Sequence, residues 1–308
     1  MTLRVSVCIA THNRREDLSR TLREVSLLDP PPDEILVMAD GCSDGTSSVI
    51  RDEWPRVRLF EHERSQGSIP SRNELAATAT GDILLSLDDD SYPLGRNFVA
   101  RLRETFATHP KVAVLSFAQR TNEFPASLHA EDLGPAQYVG SFANSAAATR
   151  REVFLALGGY PSFFRHAYEE PDLALRCAAA GWQVRHDPSF LVRHHFTPNQ
   201  RDEMRTHHRH SRNELWSVVL RCPFPHVILV AAFRVLRQAG YARKRGIGWL
   251  LQEPKWWREA VAGIPICLRE RHALPWCTYL SWMKLIRHPI TDRAEWEKRF
   301  PSPRRHGA

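Results

Sequence analysis

The chain lacks most of the features that would settle its class early. Its six cysteines (Cys8, Cys42, Cys177, Cys222, Cys267 and Cys277) form no CxxC pair. That argues against a disulfide framework or a zinc site, and for reduced thiols in a cytoplasmic protein. No uninterrupted apolar run approaches the roughly 18 residues that would suggest a membrane-spanning helix. Met1 to Ala10 enters a strand-like run at once, with no basic stretch leading a long apolar one, so no signal peptide is expected. Repeats and low-complexity tracts are missing. Glycine is absent from Ser6 to Arg14, which speaks against a Gly-rich phosphate loop after the first strand.

Acidic residues are scarce in one part only. Residues 1–200 hold 21 Lys+Arg against 26 Asp+Glu, a net of −5, whereas residues 201–308 hold 21 against 9, a net of +12. Seven of the nine tryptophans lie in that second part. The chain is therefore expected to divide near residue 200 into a slightly acidic domain and a basic, Trp-rich extension. A basic and aromatic segment suits an anionic surface.

Apolar runs alternate with helical periodicity in the first part. Leu3 to Ala10, Glu34 to Ala39, Val57 to Glu61, Ile83 to Leu87 and Val112 to Phe117 read as strands. Leu18, Leu22, Val25 and Leu28 recur at helical spacing until Pro30-Pro31-Pro32. Further helices are expected from Ser47, from Pro70 toward a C-terminal Gly81, over Phe98–Phe106 and over Arg151–Leu157. Pro171 and Gly181 bracket another, with Glu169 and Glu170 just before its start. Gln183 to Arg193 reads as two short strands. Phe142 to Thr149 is small and polar, as a substrate-lining strand would be. Val218–Leu236 and Trp249–Trp282 read as helices. Strands alternating with helices imply an α/β fold with a mostly parallel sheet covered on both faces. Ligands of such sheets bind beyond the C-terminal strand edges. Three polar loops fall there: 11–14, 40–44 and 88–91.

The last of these is Asp88-Asp89-Asp90, at the end of an apolar strand. Adjacent like charges repel, and folding alone gives no reason to place them together. Oxygen ligands at a strand edge suit a divalent cation. A second acidic group, Glu169, Glu170 and Asp172, follows about 80 residues later. Carboxylates at a helix start are also ordinary dipole chemistry, though that accounts better for one than for three.

Taken in order, the motifs resemble those of inverting glycosyltransferases of family 2. Ser6-Val7-Cys8-Ile9-Ala10-Thr11-His12-Asn13-Arg14 is similar to the family's first strand and nucleotide loop. Asp40-Gly41-Cys42-Ser43-Asp44-Gly45-Thr46 resembles its Asp-Gly-Ser-x-Asp-Gly-Thr turn, although Ala39 stands where many members have a further Asp. Gln66-Gly67 with Ser71-Arg72-Asn73 resembles the loop and helix before the metal strand. Leu87-Asp88-Asp89-Asp90 resembles the Asp-x-Asp signature. Gly158-Gly159-Tyr160 and Glu169-Glu170-Pro171-Asp172-Leu173 resemble the acceptor-side pattern, with Glu170 replacing the usual Asp. The resemblance runs to about residue 213.

It implies a GT-A fold over residues 1–200, with a nucleotide-sugar half (1–118) and an acceptor half (119–200), followed by a helical extension (201–308). It implies metal-dependent transfer of a sugar, with inversion, from a nucleotide sugar to an acceptor hydroxyl. UDP-sugars are the default donor, Mn2+ or Mg2+ the cofactor, and saccharides or lipid-linked sugars of surface polysaccharide or glycolipid assembly the acceptors. Asp90 is expected as the direct metal ligand. Asp88 is expected at the ribose or at the metal, Asp89 as a spacer on the nucleotide side, and His194 as a further ligand with His195 as its rival. Thr11, His12, Asn13 and Arg14 would surround the nucleotide, Asp40 would accept from the base, and Arg72 would contact phosphate or sugar. Glu170 would be the general base. Glu169 and Asp172 would serve the acceptor, Asp172 alternatively capping its helix or binding Arg176. Arg209, Arg212 and Asn213 would close over the diphosphate. A sugar nucleotidyltransferase is the alternative reading, weakened by the missing glycine loop. No nucleic-acid partner is expected, since it leaves both acidic groups unexplained. The basic, Trp-rich extension suggests peripheral attachment to the inner face of the cell membrane, or else packing on the catalytic domain or in a homo-oligomer.

Overall fold

The computed structural model describes residues 2–196 and 202–301. Nine strands form one mixed sheet: β1 (Val5–Thr11), β2 (Glu34–Asp40), β3 (Val57–His62), β4 (Ile83–Asp88), β5 (Ser91–Leu94), β6 (Val112–Thr121), β7 (Gln137–Tyr138), β8 (Ala147–Arg150) and β9 (Gln183–His194). Their order is β3-β2-β1-β4-β8-β6-β9-β5, with β7 on β9. The first four are mutually parallel. β8 runs antiparallel to both β4 and β6, and β6 is parallel to β9. The C-terminal ends of β1, β2, β4 and β9 therefore share one edge. That topology gathers loops 11–14, 40–46 and 88–90 with His194, residues far apart in sequence.

The first half follows its hydrophobic pattern. β1 is buried on both faces, as a central parallel strand requires. Helix α1 (Arg15–Ser26) buries Leu18, Leu22 and Val25, α2 spans Thr46–Glu53, and α3 covers Ser68–Thr78. α4 (Phe98–Thr108) buries Phe98, Val99, Leu102 and Phe106, and α5 is Arg151–Ala156. α3 stops before Gly81. That glycine lets the chain press on β1, because a Cβ there would lie 2.4 Å from Ser6 Oγ.

Several boundaries differ from the sequence pattern. α6 spans Glu169–Ala179, so Glu169 and Glu170 sit inside its first turn and Pro171 is its third residue. Gly181, at φ +79°, follows its C-terminus as expected. Gln183–His194 is one strand with a bulge, not two. Asn144–Ala146 is a short 3-10 turn, and only Ala147–Arg150 pairs, deep inside the sheet. The short β5 was not anticipated.

The extension comprises α7 (Glu203–Arg221), α8 (His226–Arg245), α9 (Ile247–Leu250), α10 (Glu253–Ala262), α11 (Ile264–Arg269), α12 (Trp276–Arg287) and α13 (Arg293–Arg299). The helix expected over Val218–Leu236 is broken at 222–225, and Trp249–Trp282 is divided among several elements. The 200/201 boundary lies outside the described residues. The core nevertheless continues past it: Trp216, Leu220 and Cys267 pack in the same apolar cluster as Ile69, Leu75 and Leu173. Leu175 and Ala178 of α6 pack with Tyr279, Trp282 and Trp296. Trp256, Trp282, Trp296 and Trp216 are all buried. These tryptophans are core anchors and not membrane-interface residues.

Candidate active site

Asp88, Asp89 and Asp90 turn out to be three different environments. Asp90 is buried, with Oδ2 on Arg14 Nη2 at 2.7 Å and Oδ1 facing His194 Nε2 at 3.2 Å. Burial is the largest influence on its carboxyl, but His194 and Arg14 outweigh it and hold the group below its ordinary value. Asp89 is no mere spacer, since both its oxygens are engaged within the protein. It is buried, Oδ1 pairs with Arg14 Nη1 at 2.7 Å, and Oδ2 accepts from Thr11 Oγ1 at 2.8 Å. Burial pushes it up to about 7 against the pull of Arg14. Asp88, the most exposed, pairs with Arg72.

Ligand atoms of Asp88, Asp90 and His194 lie within 4.8 Å of one another. His194 Nδ1 meets Gln119 Oε1 at 3.0 Å, which turns Nε2 toward Asp90. Asp90 Oδ1 is buried, and the His194 imidazole is the group that faces it. Two carboxylates and an imidazole form a donor set that could hold a divalent cation. His195, the rival, instead meets Tyr92 Oη at 2.9 Å.

The nucleotide loops are largely tied to each other. His12 Nδ1 lies 2.6 Å from the Asp40 carbonyl, and Asn13 Oδ1 accepts from Ser43 N at 2.7 Å. Thr11 and Arg14 reach the acids. Asp40 was expected to accept from the base, but its four acceptor positions are already taken. His62 Nδ1, Ser65 Oγ, Gln66 N and Gly67 N approach it at 2.7–2.9 Å. Asp40 thus builds the 62–67 loop. Gly41, at φ +69°, lets that loop approach, since a Cβ would lie 2.4 Å from Ser65 N. A cavity of about 600 Å³ beside this loop is lined by His62, Arg64, Gln66, Pro70 and Arg165, among others, and by none of the three acids of 88–90.

Arg72 links the two acidic groups. It is largely covered, its side chain 10% exposed, and not a solvated helix arginine, with Nη2 on Asp88 and Nη1 3.7 Å from Glu169 Oε1. Burial acts to lower its pKa, but Asp88 and Glu169 overcome that and raise it. Glu169 is buried, accepts from Asn144 Nδ2 at 3.2 Å, and leaves Oε2 without a hydrogen-bond partner among the described residues. Tyr160 Oη donates to Asn144 Oδ1 at 2.6 Å and holds that amide in place. The half-buried Glu170 is pushed up to about 8, first by burial and then by Glu169.

Asp172 does not serve an acceptor. It is fully buried and bound to Arg176 at 2.8 Å, Arg221 at 2.9 Å and Ser217 Oγ at 3.0 Å. Burial would raise its pKa; the two arginines hold it below the ordinary value. It pins α6 to α7. Arg212 and Asn213 likewise do not close over a diphosphate. Arg212 pairs with Glu259 at 2.7 Å and stacks on Trp216. Asn213 is fully buried, and its Nδ2 donates to the carbonyls of Phe164, His166 and Ala167 at 3.1, 2.8 and 2.8 Å. Those carbonyls belong to a strained loop, with φ of 63° at Arg165, 74° at Ala167 and 69° at Tyr168, that leads into Glu169. Asn213 is thus a positioning residue that sequence reasoning placed at the wrong task. Half-buried Arg209 has its pKa lowered by burial and then by Arg205, Arg212 and Arg165, a crowd of cations.

A half-parallel sheet with a carboxylate–histidine cluster at its edge, and a second carboxylate pair across Arg72, defines a glycosyltransferase of GT-A type. The Glycosyl transferase family 2 profile matches residues 6–170, more than half of the chain, and the chain belongs to that family. It is 24% identical over 176 residues to a glucosyl-dolichyl phosphate glucuronosyltransferase of Haloferax volcanii, covering 52% of this chain and 56% of that protein, little more than half its length. It is 24% identical over 241 residues to an N-acetylglucosaminyl-diphospho-decaprenol L-rhamnosyltransferase of Mycobacterium tuberculosis, covering 63% of this chain and 77% of the relative. Among solved structures, a mannosyltransferase of Pyrobaculum calidifontis in complex with GDP-Man and Mn2+ superposes with a TM-score of 0.59 at 20% identity, over 92% of this chain and 80% of that one.

Proposed function

We propose that this glycosyltransferase moves a sugar from a nucleoside-diphosphate sugar, a UDP-sugar being the first to test, to a hydroxyl of a lipid-linked saccharide, with inversion. The setting is surface polysaccharide or glycolipid assembly at the cytoplasmic face of a membrane. The observation that carries the reading is Arg72, which bridges the metal-ready cluster and the Glu169–Glu170 pair. Lipid-linked sugars are named in both curated relatives, which supports the acceptor class.

Asp88, Asp90 and His194 would hold the divalent cation, whose charge offsets that developing on the departing diphosphate. Arg72 keeps Asp88 and Glu169 at fixed separation. Arg14 neutralises Asp89 and Asp90, so that three adjacent carboxylates are tolerated before any ligand arrives. Asp40 shapes the wall of the nucleotide side through its loop. Glu170 takes the acceptor proton, and its raised pKa makes it a stronger base than an exposed carboxylate. Glu169 Oε2 is the open acceptor for an incoming hydroxyl. Arg209, crowded by Arg205, Arg212 and Arg165, serves the diphosphate. The single-chain unit proposed is 1–200 for catalysis, with 201–308 bracing it.

The test is a donor screen by released nucleoside diphosphate, with Mn2+ or Mg2+, backed by thermal shift. The expected result is a Tm rise with one nucleoside diphosphate plus metal and with neither alone. If no nucleoside diphosphate raises Tm in the presence of metal, the donor site is misassigned.

A further inference from the structure

α8 packs Val227, Val230 and Ala231, partly buried, against the core and buries Gln238 and Ala242, yet it turns a second apolar row outward: Leu229, Phe233 and Leu236 are 76%, 52% and 72% exposed. These three fall at i, i+4 and i+7, one face of the helix. Ile228 beside Leu229 and Phe224 just before the helix add exposed apolar surface at its N-terminal end, and Ile247 and Leu251 continue apolar exposure beyond Gly246. A row of this length on a protein surface marks a contact with something apolar. The tryptophans do not supply it, since most of them are buried in the core.

The charge around this row identifies the occupant. From residue 222 to 252 the sequence has five cations, Arg234, Arg237, Arg243, Lys244 and Arg245, and no Asp or Glu. Arg234 and Arg237 pair with Glu214 of α7, and Arg245 with Glu203. Arg243 and Lys244 remain exposed at the C-terminal end of the apolar row. A self-complementary contact with a second copy would lay this acid-free face against itself. An anionic bilayer meets both needs, apolar depth for the leucines and phenylalanine and negative headgroups for the cations. No helix of the described residues is long and apolar enough to cross a membrane, so α8 would lie in the plane of the interface.

We infer that the exposed face of α8, continued by Ile247 and Leu251, is an in-plane docking surface for an anionic lipid bilayer. It deepens the proposed action on lipid-linked acceptors, and it rests on that reading for its purpose though not for its test. The full chain is sedimented with phosphatidylcholine vesicles, with and without phosphatidylglycerol. Binding is expected to the anionic vesicles. Leu229→Glu with Phe233→Glu is expected to weaken it at least about tenfold. Arg243→Glu with Lys244→Glu should remove most of the preference for anionic lipid, at about fivefold per residue. All four positions are exposed, so donor turnover in solution should stay at the wild-type level. Wild-type binding by the Leu229/Phe233 double variant would overturn the inference, as would failure of the native chain to bind. A dimer in sedimentation equilibrium that these substitutions dissociate would reassign the face to self-association. A chain that binds vesicles yet releases no nucleoside diphosphate from any donor would sink the catalytic reading and leave this one standing.

Discussion

The two acidic groups, Asp88–Asp90 and Glu169–Asp172, begin as three carboxylates each and are resolved in the same way. In each, arginine consumes one acid for structure. Arg14 takes up Asp89, and Arg176 with Arg221 takes up Asp172. In each, two acids are left for chemistry. They differ in what faces the remaining pair. Asp90 faces an imidazole as well as Arg14, which hold its carboxyl below the ordinary value, and Asp88 pairs with Arg72. Glu169 and Glu170 have Arg72 as their near cation, and burial, then the charge of Glu169, raises the pKa of Glu170. On the proposed function, one cluster serves charge binding and the other proton transfer.

Substitutions should separate the two roles. Asp90→Asn is expected to have the largest effect, at least about 10³-fold in turnover, together with loss of the metal-dependent Tm rise from nucleoside diphosphate. Glu170→Gln should cost about 10²–10⁴-fold in kcat while keeping that Tm rise in full. If it loses the Tm rise as well, the division of labour is wrong. The pH profile sharpens the same point. Glu170 acts unprotonated, so kcat should climb with pH toward about 8 and level off above it. An ascending limb centred near about 4, the ordinary carboxylate range, would assign the base elsewhere.

The structural members of each cluster should behave differently. Asp172→Ala leaves two buried guanidinium groups facing each other, and the expected loss is about 3–5 kcal/mol in denaturant unfolding. Donor KM of the folded fraction should be unchanged. Asn213→Asp is isosteric but replaces a donor with an acceptor before three carbonyls. It should lower kcat by about tenfold or more through the strained loop, with donor KM unaltered. A parallel rise in donor KM would place Asn213 at the nucleotide after all.

Much of the sheet was legible because β1, β2 and β4 are largely buried and carry continuous apolar runs, a local signal. The acidic triplet was visible for the opposite reason: charges at the end of a core strand have no local explanation. What escaped reading was decided by partners distant in sequence. Nothing near Asp172 shows that Arg221, 49 positions away, will bury it, and nothing near Asn213 points to the carbonyls of 164–167. His194 and His195 are neighbours with equal chemistry. β9 pairing sends one toward Asp90 and the other toward Tyr92. The tryptophans of the extension read as an interface belt by composition, yet packing against α6 and α7 buries most of them and leaves leucine, isoleucine and phenylalanine on α8 outside.

By itself the sequence determined the α/β alternation, the polar loops at the strand ends, and the two carboxylate groups with their order along the chain. These depend on periodicity and on residue type. Only the tertiary structure decided which acid of each group meets an arginine and which faces the cleft, because burial and charge pairing act through space and set the cost of every carboxylate by its neighbours and not by its place in a motif.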